Sequence, residues 1–274
     1  MRISISNIAW DPLHDEQMAA TLNRFGLDAI DIAHSKYFQD PETVSEKEVS
    51  VVRKWWNSRG IEIVGMQALL FGTEGLNVFG SPSIRSAMLA HLESVCNIGG
   101  ELGARHLVFG SPKNRDRSGL SDEQVRDTYF DFFNKLGDTA KSHGVTICLE
   151  PNPKEYGANF MVSSMETRDV VVSLDHSNIK MQLDTGALAM NNEDPKNIIE
   201  NCWKHIGHVH ASEPFLAPLN CDNVVHKKTA MLLQEWLPEI NVAIEMKAPE
   251  KGLPDVISAL EFANDVYGDT GDKL

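Results

Sequence analysis

Short apolar segments alternate with longer amphipathic segments along the whole chain. Eight segments rich in β-branched and other apolar residues lie at 3–9, 27–33, 61–69, 104–110, 145–151, 179–186, 206–212 and 241–247. Near-continuous apolar runs of this length are typical of buried strands in a parallel sheet that is covered on both faces. Between them, apolar residues recur with helical spacing, most clearly over 45–60, 83–103 and 121–144. The pattern therefore predicts eight repeated strand–helix units.

Polar residues and glycines mark the ends of the predicted helices. Ser45 is followed by Glu48, which is the spacing of a capping box, and Ser121 precedes the amphipathic segment that ends near 144. Glycine precedes four of the strand segments, where a left-handed residue is expected to end a helix: Gly26, Gly60, Gly103 and Gly144. These positions predict where helices begin and end.

The number of repeats decides between two α/β architectures. Eight strand segments in 274 residues give one unit per about 34 residues. An open doubly wound sheet usually has fewer strands and a glycine-rich first turn, whereas here the first strand leads into Asn7-Ile8-Ala9-Trp10. No Pro- or Gly-rich linker marks a domain boundary. We therefore predict a single (β/α)₈ TIM barrel, with residues 1–274 forming one domain.

Composition and charge exclude several classes of partner. Lys and Arg number 25 against 39 Asp and Glu, which gives a formal net charge of −14. That charge weighs against binding to nucleic acid or to anionic lipid, because both require an excess of basic residues. No segment has the roughly 20 apolar residues of a membrane span, and the first residues lack the apolar core of a signal peptide. We expect a cytoplasmic protein without nucleic-acid or membrane partners.

The four cysteines are consistent with the reducing environment of the cytoplasm. Cys96, Cys148, Cys202 and Cys221 are far apart in the sequence and form no CxxC pair. Cys96 and Cys148 fall within apolar helix and strand patterns, so we expect buried free thiols and no disulfide framework.

Candidate chemistry is concentrated in the second half of the chain. Glu150, Asp184, His210 and Glu245 each follow or end an apolar strand segment, at spacings of 34, 26 and 35 residues. In a TIM barrel, such positions lie at the C-terminal mouth, where they would converge. Three carboxylates and an imidazole in one partly dry cavity repel one another unless a cation is present. We expect one divalent metal ion, with Mn²⁺ or Mg²⁺ best suited and Co²⁺ or Zn²⁺ acceptable. The alternative is that these charges face solvent in loops.

Four segments carry a family resemblance that spans essentially the whole chain. They are ICLEPN (147–152), MQLDTG (181–186), HVHASE (208–213) and AIEMK (243–247). In order and spacing they resemble the metal-binding strands of the xylose isomerase-like TIM-barrel superfamily, which includes hydroxypyruvate isomerase, ketose 3-epimerases and endonuclease IV. The resemblance implies that Glu150, Asp184, His210 and Glu245 are metal ligands. It also implies that Glu150 and Glu245 are the two acid/base residues.

The chain departs from the ketose 3-epimerases at three positions. Where that branch has a histidine, an acidic residue and an arginine as sugar contacts, this chain has Ala187, Tyr156 and Leu216. The departures weigh against 3-epimerisation of a free ketose. Glu213, three residues after the strand-7 histidine, does match an acidic residue of that branch.

A DNA repair nuclease of the superfamily is also disfavoured. Its three zinc ions require further histidines at the ends of strands 3, 4 and 6, where this chain has Gln67, Gly110 and Ala187. The acidic net charge weighs in the same direction.

The expected activity is that of a metal-dependent isomerase or epimerase. The substrate class is a sugar, sugar phosphate or sugar acid, and the reaction is proton transfer through an enediolate. Two alternatives stay open: a metal-dependent keto-polyol dehydratase, which is a lyase, and a non-catalytic sugar-binding barrel. Barrels of this kind commonly associate, so a homodimer or homotetramer is possible.

Further residues are candidates by position at the predicted mouth. The expected substrate-binding residues are Trp10, Lys36, Gln67, Asn152, Tyr156, Glu213, His226 and Lys247. The basic run KNRDR (113–117) is expected to be a solvated loop, with a clamp for a phosphate or carboxylate as the alternative. His208 is expected to point to the opposite side of its strand from His210 and to be packed or hydrogen-bonded.

Overall fold

Eight parallel strands form a closed barrel in the computed structural model, which describes residues 1–219 and 224–268. Each strand pairs with its neighbours in chain order, and the last pairs with the first. The strands are β1 (Arg2–Ser6), β2 (Ala29–Ala33), β3 (Glu62–Gln67), β4 (His106–Phe109), β5 (Thr146–Leu149), β6 (Ile179–Asp184), β7 (Ile206–Ser212) and β8 (Asn241–Glu245). The prediction of a single (β/α)₈ TIM barrel is confirmed. One domain over all of 1–274 stays a prediction.

Helices surround the barrel, and their ends follow the predicted capping. They are α1 (Asp15–Arg24), α2 (Glu46–Asn57), α3 (Pro82–Leu102), α4 (Asp122–Ser142), α5 (Ser164–Leu174), α6 (Thr185–Met190), α7 (Pro195–Cys202), α8 (Val224–Trp236) and α9 (Leu253–Tyr267). Ser45 and Glu48 form the capping box of α2. Gly103, which ends α3, has a φ of 89°, a conformation that few residues other than glycine adopt readily.

The core lies between the barrel and its helices and also fills the barrel interior. Bulky side chains such as Trp56 on α2 and Phe133 on α4 are fully buried against the strands. Cys96, Cys148 and Cys202 are buried free thiols, whereas Cys221 lies outside the described residues. Within the described ranges, no helix is both long and apolar enough to span a bilayer.

Most strands end before the last residue of the apolar segment that predicts them. β1, for example, ends at Ser6, and the next three residues form a single 3₁₀ turn that is capped by the Ser6 hydroxyl. Apolar residues beyond the strand ends, such as Ala9, Leu69 and Met246, are buried in the loops at the C-terminal mouth of the barrel. These loops carry the candidate site.

Candidate active site

The structure brings four ionisable side chains together at the C-terminal mouth. Glu150 directly follows β5, Asp184 ends β6, His210 lies in β7 and Glu245 ends β8. The register aligns them, because Asp184 is paired with His210 across β6 and β7. One donor atom from each of the four lies within 4.8 Å of the others. The alternative expectation from the sequence, that these four side chains face solvent in separate loops, is therefore wrong.

The imidazole of His210 lies among the three carboxylates. Its Nδ1 is 3.2 Å from Glu150 Oε1, 3.2 Å from Glu245 Oε2 and 3.9 Å from Asp184 Oδ2. All four residues are buried, and His210 is inaccessible to solvent. The cluster therefore concentrates negative charge in a region that water reaches poorly.

Electrostatics within the cluster are strongly perturbed. Burial by itself lowers the pKa of His210, but the charges of Glu245 and Glu150 outweigh it and raise that pKa well above its ordinary value. Burial, together with the charges of Glu150 and Glu245, raises the pKa of Asp184 to about 7. Burial and the mutual repulsion of like charges in a low-dielectric environment are the causes of the raised pKa of Asp184.

Amide side chains orient the two glutamates. Gln67, at the end of β3, donates from Nε2 to Glu245 Oε1 over 2.5 Å. Asn152 donates from Nδ2 to Glu150 Oε2 over 3.1 Å. In each glutamate, one carboxylate oxygen accepts the amide hydrogen bond and the other oxygen lies beside His210. Such supporting hydrogen bonds fix the direction in which a carboxylate offers its oxygens.

Asp184 is held by the start of the helix that it caps. Its Oδ1 accepts a hydrogen bond from the backbone N–H of Ala187 over 2.6 Å, at the N-terminus of α6. Its Oδ2 accepts from the hydroxyl of Ser212 over 2.8 Å, and the same hydroxyl accepts from the Gly186 N–H. Ser212 follows His210 by two residues on β7, so both side chains point to the same side of the strand.

The absence of a side chain at Gly110 leaves room for the carboxylate of Glu150 beside β4. A Cβ atom built at this position would lie only 1.9 Å from Glu150 Oε2. A histidine at Gly110, as the three-zinc nuclease chemistry requires, would therefore collide with Glu150 unless that side chain moved. The glycine is a steric requirement of this arrangement.

The four side chains fit a divalent metal ion. Three carboxylates and one imidazole are the oxygen-rich donor set that Mn²⁺ and Mg²⁺ accept, and Co²⁺ and Zn²⁺ tolerate it. A positive ion among Glu150, Asp184, His210 and Glu245 would also remove the charge repulsion that raises the pKa of Asp184. The chemistry of the donor set and its supporting hydrogen bonds thus agree with a metal centre.

The cluster opens into two adjoining cavities. The first, the polar lobe, has a volume of about 550 Å³, and the second, the apolar lobe, has a volume of about 400 Å³. Residues that line the polar lobe alone include Pro112, Asn152, Tyr156, Asp184, Ala187, Ser212, Glu213 and Phe215. Residues that line the apolar lobe alone include Ile8, Gln67, Ala68, Leu69, Leu70, Phe71, Val108, Phe109, Ser111 and Lys113. Both lobes share Gly110, Glu150, Leu216, Glu245 and Lys247.

Five of the predicted substrate-binding residues line these lobes. Asn152, Tyr156 and Glu213 line the polar lobe, Gln67 lines the apolar lobe, and Lys247 lines both. Their contact with a substrate stays a prediction.

The three departures from the ketose 3-epimerases also line this space. Ala187 and Tyr156 line the polar lobe, and Leu216 lines both lobes. The positions where that branch contacts a sugar through charged or imidazole groups are therefore small, aromatic or aliphatic here.

Trp10 and Lys36 lie outside both lobes. The indole of Trp10 is buried and donates to Asp15 Oδ1 over 2.7 Å, and its ring lines a separate cavity of about 260 Å³. The ammonium group of Lys36 donates to the backbone carbonyl of Trp10. The loops after β1 and β2 are thus tied to each other and to α1, beside the mouth.

His226 is buried behind the site and does not line either lobe. Its Nε2 lies 3.3 Å from Glu213 Oε1, and its Nδ1 lies 2.7 Å from the hydroxyl of Tyr267. The imidazole therefore links the rim residue Glu213 to α9.

Arg115 corrects the expectation that the basic run is a solvated loop. Its guanidinium group is fully buried and donates from Nη2 to Asn152 Oδ1. Because Asn152 in turn donates to Glu150, a buried cation lies two hydrogen-bonded steps from a candidate ligand. Lys113 of the same run is exposed and lines the apolar lobe.

The predicted orientation of His208 is wrong. Residues two apart in a strand point to the same side, and the rings of His208 and His210 lie with their centroids 5.4 Å apart. The expectation of a packed histidine is confirmed, because His208 is fully buried with its Nε2 2.9 Å from Asp31 Oδ2. Gly65 makes room for this carboxylate, since a Cβ there would lie 1.9 Å from Asp31 Oδ2.

Several supporting residues escaped the sequence analysis. Ser212 shares a strand face with His210, and Asp31 interrupts an otherwise apolar strand, so both had a usable sequence signal. The contact between Arg115 and Asn152 joins the loops after β4 and β5, and no local pattern predicts it.

Comparison with known proteins supports the same architecture. D-Psicose 3-epimerase, in a crystal structure with D-fructose, has a TM-score of 0.80 and 18% identity to this chain, covering 98% of this chain and 100% of the other. The D-psicose 3-epimerase of Clostridium cellulolyticum H10, with D-tagatose, has a TM-score of 0.80 and 16% identity, covering 98% and 100%. The 3-keto-D-glucoside 4-epimerase of E. coli has a TM-score of 0.78 and 16% identity, covering 97% and 99%. At these identities the similarity establishes the fold.

The family follows from the sequence. No curated protein sequence matches the chain. The family model described as the xylose isomerase-like TIM barrel matches residues 19–232, which is more than half of the chain. The chain therefore belongs to the xylose isomerase-like TIM-barrel family.

Proposed function

We propose that this protein is a divalent-metal-dependent isomerase or epimerase acting on a sugar that carries a carbonyl group. One observation carries the proposal: four successive strands place Glu150, Asp184, His210 and Glu245 with donor atoms within 4.8 Å at the barrel mouth. The similar solved structures include several sugar 3-epimerases and a 4-epimerase, which is consistent with an isomerase-class enzyme.

The metal would be held by these same four side chains. Mn²⁺ or Mg²⁺ suits the donor set best, and Co²⁺ or Zn²⁺ is an acceptable substitute. When bound, the ion would supply a Lewis acid beside the substrate carbonyl and lower the cost of developing negative charge on oxygen.

The two glutamates would carry the proton. One of them removes a proton from the carbon beside the carbonyl, and the electron pair of the broken C–H bond forms the double bond of an enediolate. The other glutamate returns a proton. Return to the same carbon from the opposite face inverts it, which is epimerisation, whereas return to the neighbouring carbon is isomerisation. Gln67 and Asn152 keep Glu245 and Glu150 in fixed directions during this exchange.

Solvent deuterium tests this proposal. Protein supplied with Mn²⁺ is incubated in deuterated water with a panel of ketohexoses and keto-glycosides, and the recovered sugars are examined by mass spectrometry and NMR. We expect deuterium at the carbon beside the carbonyl of at least one compound. Glu150→Gln and Glu245→Gln should each slow this exchange by about 100-fold or more, because each removes one proton carrier.

A matched control uses the same loop. Glu155 is exposed and follows β5 by a few residues, so Glu155→Gln should exchange at the wild-type rate. Undiminished exchange in both Glu150→Gln and Glu245→Gln would refute the assignment. A product that has lost water would replace it with the dehydratase alternative.

Partners and location stay predictions. The proposed partner is a small carbohydrate, with no nucleic-acid or membrane partner expected from the net charge of −14. Assembly as a homodimer or homotetramer is tested by the mass of the protein in solution. A cytoplasmic location is tested by cell fractionation.

A further inference from the structure

The part of the apolar lobe that lies away from Glu150, Glu245 and Gln67 has no role in the proposed proton transfer. Its wall includes Leu69, Leu70 and Val108, each at most 3% exposed. The hydroxyl groups of a free sugar would lose their hydrogen bonds to water against such a wall without gaining protein partners. An apolar chemical group is the better occupant.

Two polar side chains at the edge of this lobe, Ser111 and Lys113, have hydrogen-bond partners in the surrounding loops. The hydroxyl of Ser111 donates to Asn114 Oδ1 over 2.5 Å. The ammonium group of Lys113 donates to the carbonyl of Thr73 over 3.3 Å. The first interaction lies within the loop after β4, and the second joins that loop to the loop after β3, so both shape the lobe.

An exposed aromatic residue stands at the rim of the apolar lobe. Phe71 is 71% exposed, although large apolar side chains are usually buried. It sits on a compact turn in which its N–H donates to the carbonyl of Ala68 over 3.0 Å. Ala68 has a φ of 57°, a left-handed conformation that costs a non-glycine residue about 1 kcal/mol or more and recurs at ligand sites. The exposed Phe71 ring therefore borders the cavity, where the aromatic part of a ligand could pack against it.

The polar lobe offers a different surface. Asn152, Ser212 and Glu213 line it with amide, hydroxyl and carboxylate groups. Each is oriented by a neighbouring residue, and the hydrogen-bonding capacity that it keeps suits the hydroxyl groups of a sugar ring. The two lobes meet at Glu150 and Glu245. A ligand that filled both lobes would therefore place its polar and apolar parts on opposite sides of the two proton carriers.

We propose that the substrate is an aryl keto-glycoside, with its keto-sugar ring in the polar lobe and its aromatic group in the apolar lobe against Phe71. The reacting carbonyl belongs to the sugar part, so this inference rests on the function proposed above. Aromatic groups favour such a rim because a ring packs against the Phe71 ring as well as against the aliphatic wall. Phe71 then acts as a specificity-determining residue.

Paired glycosides test the inference by binding alone. Phenyl and methyl β-D-glucopyranosides, galactopyranosides and xylopyranosides are titrated into the Mn²⁺-supplied protein by calorimetry. None of them has a free carbonyl, so they stay intact. In at least one pair, the phenyl glycoside should bind about tenfold more tightly than the methyl glycoside, because about half of its ring surface leaves water.

Two phenylalanine variants locate the effect. Phe71→Ala should weaken phenyl glycoside binding about fivefold and leave methyl glycoside binding unchanged, since it removes only the rim contact. Phe130→Ala removes a 45% exposed ring on α4 that lines neither lobe, and both affinities should stay at wild-type values. Both positions are exposed, so both variants should keep the wild-type melting temperature.

Three results would overturn the inference: equal affinity for the phenyl and methyl members of every pair, no measurable binding of any phenyl glycoside, or a preference that is undiminished in Phe71→Ala. The deuterium experiment tests the proposed function separately from the preference for aryl glycosides. Exchange on keto-sugars without an aryl preference would reject only the aryl substrate. An aryl preference without exchange would reject the isomerase activity and leave only the binding of aryl glycosides.

Discussion

Replacing Gly110 by alanine should disable the metal centre while the barrel stays folded. The added Cβ would lie 1.9 Å from Glu150 Oε2, and ordinary contact begins at 3.4 Å, so the carboxylate must move by about 3.4 − 1.9 = 1.5 Å. Metal–ligand distances normally lie within about 0.2 Å of their usual values, so a displacement of this size takes the carboxylate out of bonding range. We expect Mn²⁺ affinity to fall by about 10- to 100-fold, which is the range found when the support of a ligand is lost.

The expected catalytic loss is of similar size. A displacement of about 1 Å in a reacting group costs about 100-fold in rate, so deuterium exchange should fall by about that factor. The fold should tolerate the change, because the backbone φ of Gly110 is not in the left-handed region and the clash is with the end of a flexible side chain. The free energy of unfolding should change by about 1 kcal/mol or less.

Calorimetric titration with Mn²⁺ and thermal melting followed by circular dichroism measure both quantities. The control is a double-mutant cycle: in a Glu150→Ala background the clash has no partner, so adding Gly110→Ala should cause no further loss of affinity. Wild-type affinity in Gly110→Ala, or losses that add in the double variant, would refute the steric argument.

Three further predictions concern the fold and the surroundings of the site. Ser45→Ala removes the side-chain cap of α2 and should cost about 1 kcal/mol in urea unfolding, with an unchanged m-value. Burial lowers the pKa of His34 to about 4. As the pH falls below 6.5, His34 therefore binds a proton in the unfolded chain while it stays neutral in the folded protein. The wild type should lose about 2 kcal/mol of stability from this group by pH 5. Stability should depend less steeply on pH in His34→Gln, whereas His14→Gln, at an exposed position, should match the wild type. Equal slopes in all three proteins would show that His34 does not cause the loss of stability. Arg115→Met should remove the anchor of Asn152 and slow deuterium exchange about tenfold, whereas wild-type exchange would show that the anchor has no effect.

The barrel and the meeting of four side chains could be predicted because both depend on local, repeated features. Each strand is an apolar run, and each run ends at the same side of a parallel barrel, so residues one repeat apart share the mouth. That reasoning required no knowledge of how the loops pack. It is the reason Glu150, Asp184, His210 and Glu245 could be placed together from their spacing alone.

The surroundings of the cluster could not be predicted in the same way, because long-range loop packing decides them. Trp10 follows β1 as a mouth residue should, but its hydrogen bond to Asp15 turns the indole toward α1. Arg115 belongs to a run of charged residues that predicts solvent exposure, yet its contact with Asn152 buries it. His208 is a different case, since the two-residue period of a strand already places it on the same side as His210.

The central claim is that four side chains from β5 to β8 hold one divalent ion. Anomalous X-ray scattering at the manganese edge, from crystals soaked in Mn²⁺, measures this directly. We predict one strong peak within bonding distance of Glu150, Asp184, His210 and Glu245, and its loss in Asp184→Ala crystals. A manganese peak elsewhere, or none between these four residues, would contradict the claim.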